Sequence, residues 1–146
     1  MATATRKPKK EKSLAKCRDD VAVLLQKLVR MKAADDNGYC QCVTCGKFDH
    51  YKNMQGGHFI ERGKTATKII EENINPQCAY CNQWGMKNAS IVLAYNEWMV
   101  DMHGVDYVEW LRREARRVAK HTRSELEGMR LDITARITEQ EARLGV

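Results

Sequence analysis

Cys42-Val43-Thr44-Cys45-Gly46 and Gln77-Cys78-Ala79-Tyr80-Cys81-Asn82 are the two stretches on which the fold turns. Each holds a Cys-x-x-Cys pair, and thirty-two residues separate Cys45 from Cys78. Together they supply four soft thiolates as two chelating turns, the arrangement that tetrahedral structural zinc takes. Gly46, directly after Cys45, suits the tight turn of such a pair. One Zn2+ would tie together segments whose own apolar content is too small to hold them. An alternative stays open at Cys40, since Cys40-x-Cys42 could enter the site, but the two-residue spacing favours Cys42. A closed set of four thiolates leaves no coordination position for substrate, so these cysteines staple the fold, and any catalysis must come from other residues.

The chain around them has 146 residues and is 43% hydrophobic, enough for one domain with a modest core and too little for two enzyme domains. Six cysteines would suit a disulfide scaffold in a secreted protein. The absence of an apolar signal core near Met1 and the Cys-x-x-Cys pairing favour metal instead. No apolar run approaches the ~20 residues of a membrane span, so a cytoplasmic location is expected. Lys and Arg number 25 against 19 Asp and Glu, a net charge of +6. That balance selects a polyanionic partner, nucleic acid first.

Residues 1–12 carry Arg6, Lys7, Lys9, Lys10 and Lys12 against Glu11 alone and read as a disordered basic tail. From Ser13, Leu14, Cys17, Val21, Leu24, Leu28 and Met31 recur at steps of three and four, predicting an N-terminal helix over 13–37 that Asn37-Gly38 stops. On its apolar face Cys17 is a small core residue. Residues 39–88 have short segments without helical period and form the expected zinc-bound core. Over 90–146 the expectation is helical. Ser90 caps a helix ended by His103-Gly104, a second starts near Val105, and Thr122-x-x-Glu125 opens a third with Leu126, Met129, Ile133, Ile137 and Leu144 on one face. The predicted class is α+β, mainly helical, in a single compact domain. The apolar stripes of the first and last helices read equally well as an interface between two copies or as core packing.

Charge is concentrated after Gly104. A helix continuing through this segment would set Tyr107, Leu111, Ala115, Val118 and Ala119 on one side and Arg112, Arg113, Arg116, Arg117 and Lys120 on the other. A charge run is ordinarily a solvated face. With Glu114 the one acid among these cations and a basic tail besides, binding to the DNA backbone is the favoured reading, without base specificity. Lys64, Lys68 and Lys87 could serve the same end.

Between the cysteine pairs lie Gln55-Gly56-Gly57-His58-Phe59-Ile60 and Glu71-Glu72-Asn73-Ile74-Asn75-Pro76-Gln77, and Asn82 follows the last cysteine. This pattern resembles the HNH (ββα-metal) nucleases in the version whose last histidine is asparagine. With Cys-x-x-Cys-Gly, Gly-His-Phe, Asn-Ile-x-x-Gln-Cys-x-x-Cys-Asn-Gln and Asn88, it resembles more fully the phage NinG/Rap recombination endonucleases, densely over 42–88 and loosely beyond. The phage endonuclease VII-type resolvases are similar in also having asparagine after the last zinc cysteine. The resemblance implies a zinc-stapled ββα-metal (HNH-like) nuclease core flanked by amphipathic helices. It also implies that His58 activates water, Asn73 braces the loop between two strands, and Asn82 binds a catalytic divalent ion, Mg2+ or Mn2+. Phosphodiester hydrolysis asks for such a pair on general grounds, a base to make the nucleophile and a hard cation to neutralise phosphate charge. On the residues alone, Asn73 is structural and Asn82 could cap a helix.

Two positions depart from the pattern. Gly57 stands where many HNH enzymes have Asp or His, and Gln55 stands where the NinG pattern has Asp. Glu71 is the first candidate for the missing carboxylate and Asp49 the second. His50, His103 and His121 receive no role. The implied activity is metal-dependent, structure-selective cleavage of branched DNA, such as Holliday junctions and D-loops, during phage recombination in the cytoplasm of an infected bacterial host. A homodimer would supply the two opposed cuts, and recombination proteins would be further partners. The competing functions are a non-catalytic zinc module binding nucleic acid or a recombinase, and an HNH nicking or restriction-type nuclease.

Overall fold

The computed structural model describes residues 3–146. Of the expected tail, residues 1–2 lie outside the described residues, and 3–12 are exposed and take no regular structure. Helix α1 (Leu14–Ala33) begins where the Ser13 hydroxyl accepts the backbone N–H of Lys16 at 3.1 Å. It ends at Ala33, short of Asn37-Gly38, because Ala34 is extended and Asp35 captures the chain. The Asp35 carboxylate accepts the backbone N–H groups of Asn37 and Tyr39 at 3.0 and 2.9 Å, a local turn that competes with helix.

Two antiparallel hairpins follow. Strand β1 (Tyr39–Gln41) pairs with β2 (Phe48–His50), and Cys42 and Cys45 lie in their connection. Strand β3 (Met54–His58) pairs with β4 (Ile74–Cys78), with Met54 opposite Cys78 and His58 opposite Ile74. The short helix α2 (Ala79–Gln83) continues directly from β4. Helix α3 (Ala89–His103) is capped by Asn88, whose side chain accepts the Ser90 N–H at 2.9 Å, so Ser90 lies inside the helix rather than capping it. Gly104, at φ 86°, ends α3 and starts α4 (Val105–Glu114). Helix α5 (Arg123–Leu144) opens on the Thr122 hydroxyl, which accepts the Glu125 N–H at 3.1 Å.

The α+β class is as expected, but the long two-faced helix after Gly104 is not found. Helix α4 stops at Glu114, and the Ala119 N–H reaches the Thr65 hydroxyl at 3.2 Å, drawing the chain off the helical path. Val118, expected on a buried side, is exposed. Arg116, Arg117 and Lys120 therefore lie on a turn and coil, not on one arc with Arg112 and Arg113.

Two apolar clusters hold the chain. In the larger, Val21, Leu25 and Leu28 of α1 share a core with Leu126, Ile133 and Ile137 of α5 and with Met54 and Ile74 of the β3–β4 hairpin. Full burial of one such side chain contributes about 1.5–3 kcal/mol. The stripes of the first and last helices thus cover each other within one chain, which decides for core packing over an interface between copies. The smaller cluster joins Phe59 to Tyr95, Met99, Val108 and Leu111.

Close backbone approach explains both glycines before His58. A Cβ at Gly56 would stand 2.6 Å from the Gln26 side chain on α1, and one at Gly57 would stand 1.8 Å from Gln77 Oε1. The space that a side chain directly before His58 would take is filled by the amide of Gln77, a residue without solvent exposure.

Candidate metal centre and the polar cavity beside it

The β1–β2 connection brings Cys42 and Cys45 to the end of β4 and the first turn of α2, where Cys78 and Cys81 stand. One sulfur from each of the four lies within 4.8 Å of the others, and Cys45 Sγ is 3.7 Å from Cys78 Sγ. A tetrahedron of Zn–S bonds of about 2.3 Å has edges of about 3.8 Å, so the set fits zinc. Burial alone would raise the Cys42 thiol, but hydrogen bonds from the Thr44 hydroxyl and from nearby backbone groups outweigh it and hold it down to about 6. Burial pushes Cys81 up to about 12 and raises Cys45 as well. Cys40 is buried in the core outside this cluster, and Cys17 is half-buried against α5.

His58 ends β3 and is buried, 7% exposed. Its Nε2 lies 2.8 Å from the Lys68 carbonyl. A carbonyl only accepts, so Nε2 carries the proton and Nδ1 is the bare lone pair. That Nδ1 is buried and has no hydrogen-bond partner. Burial, with the charges of Arg62 and Lys68 adding to it, pushes the imidazole pKa below its usual value and keeps the ring neutral. The strand before it is fixed by Tyr95, whose hydroxyl donates to the Gly57 carbonyl at 2.7 Å.

Asn73 has no solvent exposure and spans the loop that connects β3 to β4. Its Oδ1 accepts the Ile60 N–H at 2.8 Å, and its Nδ2 donates to the carbonyls of Ile60 and Thr67 at 3.1 and 3.0 Å. Asn82 lies on α2 with its Nδ2 donating to Gln55 Oε1 at 2.7 Å. The two amides meet in a 260 Å3 cavity that Gln26, Arg30 and Arg62 also line. His58 is not among its lining residues, although Arg62 is close enough to depress its pKa.

Neither candidate carboxylate joins Asn82. Glu71 is held by Arg136 at 2.7 Å and Lys32 at 3.2 Å and lines a different cavity, because the turn before β4 points it toward α5. Asp49 accepts from the His50 backbone N–H and the Asn53 side chain at 2.7 and 3.0 Å. The donors at Asn82 are therefore neutral amides beside two guanidinium groups, which does not fit Mg2+ or Mn2+, hard ions that seek carboxylates. Arg30 and Arg62, missed in the sequence, come from segments far apart in the chain, and only the fold brings them to Asn82. Gln55 was visible there as a departure from the expected Asp.

The basic residues after Gly104 are exposed, with different surroundings. Arg112 donates to Asn96 Oδ1 at 2.8 Å and lies 5.0 Å over the Phe59 ring, and Arg117 pairs with Glu114 at 3.5 Å. Lys64 and Lys87 are exposed, whereas Lys68 is bound to Asp19 on α1 and is not free for DNA. The remaining histidines are held by their neighbours: His50 packs with Tyr39 and Tyr51, His103 packs with Trp98 and Tyr107, and His121 Nδ1 accepts from Arg18 Nε at 3.4 Å. Among the described residues no helix is long and apolar enough to cross a membrane.

A small α+β protein built round a cluster of four cysteines that could hold a metal ion, with a net positive charge, is the class these features define. The chain belongs to the NinG family: the profile described as Bacteriophage Lambda NinG protein matches residues 2–142. Comparison with curated proteins and with solved structures gives no match.

Proposed function

We propose that the protein is a structure-selective DNA endonuclease that cuts branched recombination intermediates, Holliday junctions and D-loops among them. Membership of a phage family supports a recombination-related role. The observation that carries the enzymatic reading is the His58 imidazole, kept neutral and held by the Lys68 carbonyl so that Nδ1 is the free base. A base of this kind takes the proton of an attacking water. Zinc at Cys42, Cys45, Cys78 and Cys81 would hold the β1–β2 connection against β4 and α2 and so fix the strand that carries His58. Asn73 positions the connecting loop. Exposed Arg112, Arg113, Arg116, Arg117 and Lys120 are proposed to meet the DNA backbone, and a homodimer would place two sites for opposed cuts. Because the donors at Asn82 do not fit a catalytic Mg2+ or Mn2+, the part of His58 involves no step through such an ion.

The second reading, a non-catalytic zinc module that binds nucleic acid, is favoured by the burial of Nδ1 and by the absence of a carboxylate in the cavity at Asn82. One assay separates the two. Zinc-loaded protein and its His58→Ala variant are incubated with labelled four-way junction and with linear duplex, with and without Mg2+. Cleavage of the junction by the parent protein alone supports the enzyme. Binding without cleavage by either protein sinks it, and cuts at fixed sites in linear duplex would indicate a nicking or restriction-type nuclease.

A further inference from the structure

The 260 Å3 cavity where α1, β3, α2 and the loop after β3 meet is smaller than the roughly 300–1,000 Å3 of sites for drug-sized ligands. It suits a small group. Its charged lining residues are Arg30 and Arg62, its polar ones are Gln26, Gln55 and Asn82, and among the described residues no carboxylate lines it. We propose that this cavity binds a phosphate group, gripped by the Arg30 and Arg62 guanidiniums with the side-chain amides of Gln26, Gln55 and Asn82 around it. The inference rests on the DNA-processing reading for its natural source, the nucleic-acid backbone, but not for its chemistry.

Arg30 is the anchor. Its Nε donates to the Gln26 carbonyl and its Nη1 to the Met54 carbonyl, each at 2.9 Å. Two backbone bonds fix the plane of the guanidinium before any ligand arrives and leave the rest of its N–H fork uncommitted. It is half-buried, and its charge has no carboxylate beside it. Burial accordingly pushes its pKa down, as expected for a cation held without a counter-ion. Such a group is costly unless an anion completes it, and a tetrahedral oxyanion is what a planar, prefixed fork binds best. Arg62 adds a second cation from the exposed loop, and Asp19, whose ionised form Arg62 favours, is itself occupied by Lys68. The same two charges that exclude a divalent cation from Asn82 attract the phosphate that such a cation would otherwise neutralise.

The test follows the arginine side-chain Nε–H resonances of the zinc-loaded protein by NMR. Three titrants are used at constant ionic strength: sodium phosphate against sodium chloride, a short duplex, and a four-way junction. Saturable shifts of Arg30 and Arg62 with DNA and with phosphate are expected. A response to DNA alone assigns the site to the backbone phosphodiester, and a response to inorganic phosphate alone assigns it to free phosphate. Silence of both arginines with inorganic phosphate and with bound DNA alike overturns the proposal. The Arg62→Gln variant alters an exposed side chain, and its zinc content and helicity serve as folding controls. It should abolish the phosphate response and lower the logarithmic salt slope of duplex binding by roughly 0.9, the value for one phosphate that the protein ceases to neutralise. An unchanged slope would show that DNA does not use the cavity. Arginine shifts without junction cleavage defeat only the nuclease reading, and cleavage with silent arginines defeats only this inference.

Discussion

His58 stores its chemistry in which nitrogen keeps the proton. If Nδ1 is the base, His58→Ala abolishes junction cleavage while zinc content, helicity and DNA affinity stay near those of the parent, as read by elemental analysis, circular dichroism and binding titration. A cleavage rate within a few-fold of the parent would remove His58 from the reaction. The buried ring also makes a stability prediction. Its folded pKa lies below the 6.5 of the unfolded residue, so between those two values the unfolded chain binds the extra proton. Stability is full above 6.5 and falls as pH drops toward the folded pKa, a change that urea midpoints between pH 8 and 5 would record and that His58→Asn should flatten. What made this residue legible in the sequence was its setting, Gly-Gly-His-Phe ahead of Asn-Ile and Cys-x-x-Cys-Asn. Its partner was hidden, since the Lys68 carbonyl is a backbone atom that no side-chain pattern marks. Glu71 was misplaced for a related reason: nearness to Asn73 in sequence does not say which way a turn points it, and Arg136 lies 65 residues further along the chain.

The four-cysteine cluster and the strand glycines govern the elements. Cys81→Ser should lose the single zinc per chain and lower the thermal midpoint, because Cys42, Cys78 and Cys81 also belong to the larger core. Zinc retained at full occupancy in that variant would place the site elsewhere. Gly57→Ala drives a methyl into the Gln77 amide and should destabilise by about 1–3 kcal/mol in urea denaturation, the usual cost of overpacking. The starts of α1 and α5 could be read from Ser13 and Thr122, and the end of α3 from Gly104, because caps and stops are settled by a few neighbouring residues. The end of α4 could not. Ala115-Arg116-Arg117-Val118-Ala119 contains no breaker, and what stops the helix is accompanied by a distant hydrogen bond, Ala119 N–H to Thr65. Ser90 was passed over as a cap because Asn88, equally able, lies two residues earlier.

Across the whole molecule, charge and core are divided between different surfaces. Replacing Arg113, Arg116 and Arg117 by Ala should weaken junction and duplex binding alike and flatten the salt dependence by roughly 0.9 for each phosphate that these side chains had neutralised. Arg116 and Arg117 lie beyond the end of α4, so helicity should hold, and an unaltered slope would mark this surface as ordinary solvated charge. In the core, Ile133→Ala opens the seam between α1 and α5 and should cost about 2–5 kcal/mol by chemical denaturation. The seam closes α1 on α5, with everything from Ala34 to Thr122 between them. A ribosome therefore delivers α1 long before its cover. At about 5–20 residues per second, the interval before α5 begins to be made is roughly 4–18 s. Through that interval Val21, Leu25 and Leu28 have Met54 and Ile74 of the β3–β4 hairpin to pack on but lack Leu126, Ile133 and Ile137, so the side of α1 that α5 covers faces water or whatever apolar surface the nascent chain meets.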